Sequence, residues 1–396
     1  MTDATPETPD GRPGEVFAAF LKLGLTSFGG PIAHLGYFRE AFVTRRGWLS
    51  DSAYADLVAL CQFLPGPASS QVGFAIGLMR AGPWGAVAAF AAFTLPSALL
   101  LIAFAAGAAA LDGPVGQGAI SGLKIVAVAI VAQAVLGMAK SLCPDRERAG
   151  IAVLAVALLA ALPGPLAMVG AILAGGLAGL ALGRGAPSEL DGRLPVPITP
   201  RVGAICLAAF LALLLVLPLL AGFGAGVALF DSFYRAGALV FGGGHVVLPL
   251  LEAEMVRGGQ VSADAFLAGY GAAQAVPGPL FTFAAYLGAV ASGLGGALVA
   301  LLAIFLPGFL LLLGALPFWD AFRRRARAQS LLQGANAAVV GILGAALYDP
   351  VFTAGVGDMA DFALALACFV LLVAWKMPSW AVVLVGAAGG VGLALV

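Results

Sequence analysis

Two uncharged stretches, Leu57 to Met79 and Phe266 to Val290, are each interrupted by Pro-Gly-Pro, at Pro65-Gly66-Pro67 and Pro277-Gly278-Pro279. Proline removes a backbone donor and collides with the preceding helical turn, and a glycine between two prolines lets the chain bend sharply. Each stretch has the roughly 20 apolar residues that a bilayer crossing needs, yet neither can cross as one unbroken helix. In lipid, irregular backbone survives only where protein or a water-filled cavity satisfies its polar groups. The motifs therefore predict broken or re-entrant helices with their breaks at membrane depth. Composition agrees. Hydrophobic residues make up 61% of the 396 residues and charged ones 10%, against about 25% charged in soluble domains. Such a chain cannot cover a water-facing surface, and the class is an all-α polytopic membrane protein.

Nine other runs read as full crossings: Ala86 to Leu111, Gly116 to Ala139, Ile151 to Leu162, Leu166 to Leu182, Val202 to Leu220, Leu298 to Leu316, Leu331 to Tyr348, Phe362 to Trp375 and Trp380 to Leu395. With the short half-helices this makes 11 to 13 segments. Two further segments are short and charged: Val16 to Phe28 holds Lys22, and Phe230 to Phe241 holds Asp231 and Arg235. The oddities come in pairs. "FLKLGLTSFGGP" from Phe20 matches "FYRAGALVFGGG" from Phe233 at an offset of 213, and "QFLPGP" from Gln62 matches "QAVPGP" from Gln274 at 212. Pro96 falls on Pro307, and Gly122 on Gly334. The chain is thus a tandem repeat. It divides into a polar tail 1–14, a first repeat 15–183, a loop 184–201, a connecting helix 202–220 and a second repeat 221–396.

Loop charges orient the copies through the positive-inside rule. Arg39, Arg45 and Arg46 in copy one face a stretch holding Glu252, Glu254 and Arg257 in copy two. The bare loop near Leu111 corresponds to Arg323, Arg324, Arg325 and Arg327, and Lys140, Arg146 and Arg148 correspond to Asp349, Asp358 and Asp361. All three comparisons reverse, so the repeats are expected to be inverted, with the N-terminus inside. The short segment and the Pro-Gly-Pro segment of each copy must then cross an even number of times together. Two dips and two full crossings both satisfy this.

The half-helix after each break presents free N–H groups, the positive end of a helix dipole and a place for an anion. Ser69 and Ser70 sit in that first turn in copy one, and Thr282 in copy two. Inverted repeats, broken helices and a midplane site are the arrangement of secondary transporters; a pair of kinks shaping the bundle is the bland alternative. Lys22 and Arg235 could supply two cations to a dianion, or could snorkel to an interface. Gly29-Gly30 and Gly242-Gly243 could form anion-binding nests or simply tight turns. His34 and His245 have no second ligand at metal spacing and read as loop or interface histidines. Asp56 is read as an interfacial helix charge, with proton carriage as the minority reading. The four scattered cysteines read as small hydrophobes. The first 16 residues lack the basic and apolar parts of a cleaved signal peptide. Zero formal net charge suggests no nucleic-acid partner, and no cofactor, metal cluster or catalytic pair is visible.

"FLKLGLTSFGGPIAHLG", "LCQFLPGPASSQVGFAIG", "FGGGHVVLPLLE" and "AQAVPGPLFTFAAYLG" resemble the chromate ion transporter family in both halves of the chain. The resemblance implies a multi-pass protein of the inner membrane that exports chromate from the cytoplasm at the expense of the proton-motive force and confers resistance. Sulfate is a related substrate, and an anion channel is the competing reading. The motif positions carried over are Gly29, Gly30, Pro31, Gln62, Pro65, Gly66 and Pro67, with Gly242, Gly243, Gln274, Pro277, Gly278 and Pro279. Pro31 of copy one becomes Gly244 in copy two, a departure from strict equivalence. The partners implied are a chromate- or sulfate-like dianion and membrane lipid. The oligomeric state is left open, a homodimer being one option.

Overall fold

The computed structural model describes residues 11–108, 113–162, 165–185, 194, 198–241, 244–322 and 325–396. The expected nests at Gly242 and Gly243, and Arg323 and Arg324 of the basic run, lie outside the described residues. The described residues form helices, with no strand among them.

The first repeat opens with α1 (Pro13–Thr26), a turn at Ser27 to Gly29, and α2 (Gly30–Phe38), which continues through a π-helical turn to Thr44. Phe20 of α1 packs edge-on against Phe38 at 5.5 Å and stacks on Phe42 at 4.7 Å, so the chain returns beside its own entry. Next come α3 (Asp51–Phe63) and the Pro-Gly-Pro break, then α4 (Ala68–Ala108). Arg80 of α4 lies 5.2 Å from the ring of Trp48, just before α3, so this excursion also returns to its starting side. Of the two options open in sequence, the structure has the two dips.

At Ala81-Gly82 the helical dihedrals break, and Gly82 takes φ 65°. A side chain on Gly77 would collide with the carbonyl of Gly85 and vice versa, so the chain doubles back between them. α4 is thus a tight helical hairpin of residues 68–80 and 83–108, and its second limb is the first full crossing. After it come α5 (Pro114–Leu142), α6 (Arg146–Ala161), α7 (Pro165–Leu182) and the connecting α8 (Pro200–Leu220).

The second repeat repeats the plan. α9 (Ala225–Ala238) dips, and α10 (Val247–Leu251) returns, with Glu254 beyond it 3.0 Å from Arg235 of α9. α11 (Ala263–Ala275) leads to the second break, and α12 (Phe283–Ala315) bends at Ser292-Gly293, where Gly293 takes φ 67°. α13 (Ala326–Ala346), α14 (Met359–Val373) and α15 (Ser379–Ala394) complete it. Both break-leading helices are capped alike: the hydroxyls of Ser50 and Ser262 each accept from an N–H three residues on, at 3.2 Å. Among the described residues, five helical stretches are long and apolar enough to cross a membrane, and shorter apolar helices accompany them.

The copies are inverted. The long limb of α4 starts beside its own dips and ends beside those of copy two, where Phe104 stacks on Tyr286 at 5.7 Å. The long limb of α12 does the reverse and ends with Trp319 against Phe63 of α3. Glycines set the seams. A side chain on Gly122 of α5 would strike the carbonyl of Gly386 in α15, and one on Gly334 of α13 would strike that of Gly175 in α7. Each repeat's last helix therefore packs on the other repeat's second crossing, by the small-residue contact that serves where lipid supplies no hydrophobic drive.

Candidate functional site

The four dips meet where the breaks are. Gly66 N–H donates to the carbonyl of Val240 at 2.8 Å, and Gly278 N–H donates to the carbonyl of Ser27 at 2.9 Å. Each Pro-Gly-Pro is thereby tied to the glycine-turn region of the opposite copy, at pseudo-equivalent atoms. Gly66 and Gly278 take φ 122° and 100°, where side chains are strained. A Cβ on Gly66 would also lie 3.0 Å from the Cα of Gly308, and one on Gly278 would lie 2.9 Å from Ser97 Oγ. The glycines between the prolines are thus consumed in joining the repeats, and their N–H groups are not free for a ligand. Gly29 and Gly30 take φ 105° and 79°, and open space lies where a Cβ on Gly30 would be. Gly244 explains its departure from Pro31: a Cβ there already meets Pro31 Cγ at 3.1 Å, so two prolines would crowd one spot.

The tips differ in chemistry. In copy one Ser69 Oγ lies 3.4 Å from His34 Nδ1, and His34 Nε2 lies 3.2 Å from the Ser27 carbonyl. A carbonyl only accepts, so Nε2 carries the proton and Nδ1 accepts from Ser69. Gln71 donates to the carbonyls of Pro65 at 3.1 Å and Gly308 at 2.9 Å, pinning the break to α12. Pro67 also touches that part of α12, since a Cβ on Gly308 would lie 3.1 Å from its Cδ. In copy two the matching turn is Leu280, Phe281, Thr282 and Phe283, all buried. The Thr282 hydroxyl donates to the Pro279 carbonyl at 2.7 Å, so it caps its own turn. Pro277 is buried beside it.

Three hydroxyls at this seam have no hydrogen-bond partner among the described residues: Ser27 Oγ, Ser70 Oγ and Thr94 Oγ1, all buried. Each lies on, or within about one helical turn of, a residue joined or closely packed across the seam. A buried donor left unpaired costs about 1–3 kcal/mol, so this is a place that favours a ligand or ordered water. Ser27 and Thr94 were not singled out in sequence, although each is a hydroxyl in an otherwise apolar run. His34 and His245 are not loop or surface groups: His34 is buried at the first tip, and His245 Nδ1 lies 2.7 Å from the Tyr270 hydroxyl.

The two expected cations occupy different settings. Lys22 is exposed on α1 and has no carboxylate partner among the described residues. Arg235 is held by Asp231 at 2.8 Å and Glu254 at 3.0 Å, two acids for one guanidinium. Arg235 Nε is also buried without a hydrogen-bond partner, while Lys22 lies exposed, so the two cations are not equivalent. Asp56 is buried, and accepts from Trp319 Nε1 at 3.0 Å.

Cavities open between the helices, two of them large. One of about 450 Å³ between α5, α13 and α14 is lined by apolar side chains and Tyr348. The other, about 320 Å³, lies between α3, Trp319 and α13 and is lined by Gln62, Gln329, Gln333 and Asn336. Gln62, predicted from the motif, therefore opens onto this space, which Ala59, Phe63 and Leu332 also line, three residues before the break.

Comparison with known proteins bears on this arrangement directly. The sequence profile of the family described as chromate transporter matches the chain twice, over residues 14–180 and 227–392. The chain belongs to the chromate transporter family. It is 32% identical to the chromate transport protein of Pseudomonas aeruginosa, covering 99% of this chain and 95% of that one. It is 28% identical to the chromate transport protein of Cupriavidus metallidurans, over 93% and 90%. A probable chromate transport protein of Synechococcus elongatus is likewise 28% identical, over 94% and 93%. No solved structure matches. In this chromate transporter family member the two profile matches coincide with the two inverted sets of dips and crossings.

Proposed function

We propose that the chain is a secondary transporter of the inner membrane that exports chromate, with residues 15–183 and 221–396 as its two inverted halves. The observation that carries this reading is the seam where four dips from opposite sides join through Gly66–Val240 and Gly278–Ser27, with unpaired donors around it. Inverted repeats with broken helices at a midplane site are how alternating-access carriers are built. The donors are hydroxyls and the first-turn N–H groups at Ser69 and Ser70, which suit the oxygens of a tetrahedral oxyanion. Helix dipoles and these neutral donors would meet the substrate's charge.

Orientation follows from charge. Arg39, Arg45, Arg80, Arg146, Arg148 and Arg184 lie on the side where the chain enters, and Asp349, Asp358 and Asp361 on the other. The basic side faces the cytoplasm. One elementary charge moving through 100 mV is worth about 2.3 kcal/mol. A dianion leaving an inside-negative cell therefore gains about 4.6 kcal/mol per 100 mV, a concentration ratio above a thousand. The potential alone favours export.

Sulfate shares chromate's shape and charge, and neutral donors do not separate the two. Inside-out vesicles carrying the reconstituted protein should accumulate chromate under an imposed inside-positive potential, with saturation and with competition by sulfate. Unitary currents in a planar bilayer would replace the carrier by a channel, and an absence of both flux and current would end the proposal.

A further inference from the structure

Two equivalent helix pairs, each joining the two copies, are arranged differently. α3 of copy one and α13 of copy two stand apart around the 320 Å³ cavity, roughly ten water volumes. Gln329, Gln333 and Asn336 fall on one face of α13, at i, i+4 and i+7, opposite Gln62 of α3. A polar stripe on a helix at membrane depth is unfavourable against lipid, and belongs where water reaches it. At an offset of 212, α5 carries the same stripe as Gln117, Ser121 and Lys124, and α11 carries Gln274 in place of Gln62.

There the helices are closed. Ala59 of α3 lines the cavity, whereas its counterpart Gly271 lies so near α5 that a side chain would strike the Leu123 carbonyl. Lys124 bonds Asp264 at the start of α11 at 2.9 Å, an ion pair across the closed seam. The matching residues of the open pair, Asn336 and Ser52, carry no charge. Gln62 is exposed to its cavity, while Gln274 Nε2 is buried.

We propose that the amide-lined cavity between α3 and α13 is the cytoplasmic half of the oxyanion pathway, open in this conformation. The α11–α5 seam is the matching outer half, closed by the Gly271–Leu123 contact and latched by Lys124–Asp264. This rests on the transporter reading above. It adds which surfaces line the path, which state the chain is in, and which ion pair holds it. The neutral amides offer N–H donors to a tetrahedral oxyanion without binding it through a fixed charge. Alternating access then exchanges the two arrangements, as inverted repeats allow. Opening α11 from α5 exposes Gln274 and breaks the latch, while α3 closes onto α13.

The test places single cysteines at the matching positions, Gln333→Cys and Ser121→Cys, in a full-length chain with Cys143 and Cys206 replaced by alanine. A membrane-impermeant charged thiol reagent is applied to inside-out and right-side-out vesicles. Gln333→Cys should react from the cytoplasmic side, and saturating chromate or sulfate should slow it several-fold. Ser121→Cys should be at least tenfold slower from the outside. Adding Asp264→Asn should speed the Ser121→Cys reaction and slow the Gln333→Cys reaction together. Equal resting rates at the two sites, indifference to both oxyanions, or no reciprocal change with Asp264→Asn would each overturn the proposal. If the doubly substituted chain fails to fold, Lys124→Gln in its place breaks the same pair and must give the same reciprocal change. Chromate flux by the unmodified protein is measured alongside. Flux with an unreactive Gln333→Cys overturns the pathway while leaving the transport reading intact, and absence of flux overturns the transport reading itself.

Discussion

The first-repeat tip and the second-repeat tip share a backbone and differ in chemistry. Both breaks hold a glycine at positive φ, both tie that glycine to the opposite copy, and both are followed by a tight hairpin at a second glycine, Gly82 or Gly293. Around this common frame copy one places Ser69, Ser70, Gln71 and His34, whereas copy two places Leu280, Phe281, Thr282 and Phe283. Backbone constraints are shared because the two copies hold each other in place: a change at one glycine breaks a bond to the other repeat. Side-chain chemistry is under no such mutual constraint. One tip can become the polar half of a site while the other becomes its apolar support.

The frame can be broken at either glycine. Gly66→Ala and Gly278→Ala each impose a strained φ, about 1–3 kcal/mol, and add a contact at 3.0 or 2.9 Å. Both should abolish transport and lower the unfolding temperature in detergent to a similar extent. If Gly278→Ala behaves like wild type, the two ties are not equivalent. Arg235→Ala comes next. It leaves Asp231 and Glu254 facing each other without their shared cation, a loss of about 3 kcal/mol. Lys22→Ala, which removes an exposed group, should unfold within a degree or so of wild type. Equal losses for the two would restore them as a matched pair.

The chemical difference is sharpened by smaller changes. Ser69→Ala with Ser70→Ala should cut chromate flux about tenfold, the equivalent of about 1.4 kcal/mol, with stability lowered only by the loss of the long 3.4 Å Ser69–His34 bond. Thr282→Val should do the opposite. It removes one internal hydrogen bond, worth about 1 kcal/mol, so stability should fall while flux per folded molecule stays near wild type. A flux loss in Thr282→Val equal to that of the serine pair would erase the distinction between the tips. The smallest effect is expected at Gly244→Ala, where a methyl group would press on Pro31 at 3.1 Å. Thermal unfolding should register less than about 1 kcal/mol, and a complete loss of expression would mean that the two turns meet more tightly than the distances indicate.

The broken helices, the duplication and the inversion were legible because each is written in local signals: Pro-Gly-Pro, spaced motifs and loop charge. The reversals at Gly82 and Gly293 fall in the gaps between apolar runs, Met79 to Ala86 and Val290 to Leu298, so the boundary was legible but not the tight hairpin; the helix also continues through Pro96. Proline can be absorbed where neighbouring groups satisfy the freed carbonyl. A reversal needs only one residue at positive φ and a small residue on each limb, which Gly77 and Gly85 supply. The histidines were misjudged for a related reason. Both follow a glycine run, a surface feature in most chains, but His34 is buried at the first tip and His245 bonds Tyr270 within the bundle.

By itself the sequence determined that this chain lives in a membrane, that it is built twice, and that its halves face opposite ways. Those properties depend on hydropathy, spacing and charge, which act locally or sum along the chain. Only the tertiary structure decided that the two glycine breaks bond to each other's repeats, that Arg235 is neutralised by Glu254 as well as Asp231, and that one helix pair stands open while its twin is shut. These are contacts between segments far apart in sequence, and a chain with two nearly equivalent halves can satisfy its local preferences with either pair open. The choice between them lies in packing across the seam, which no single stretch of residues encodes.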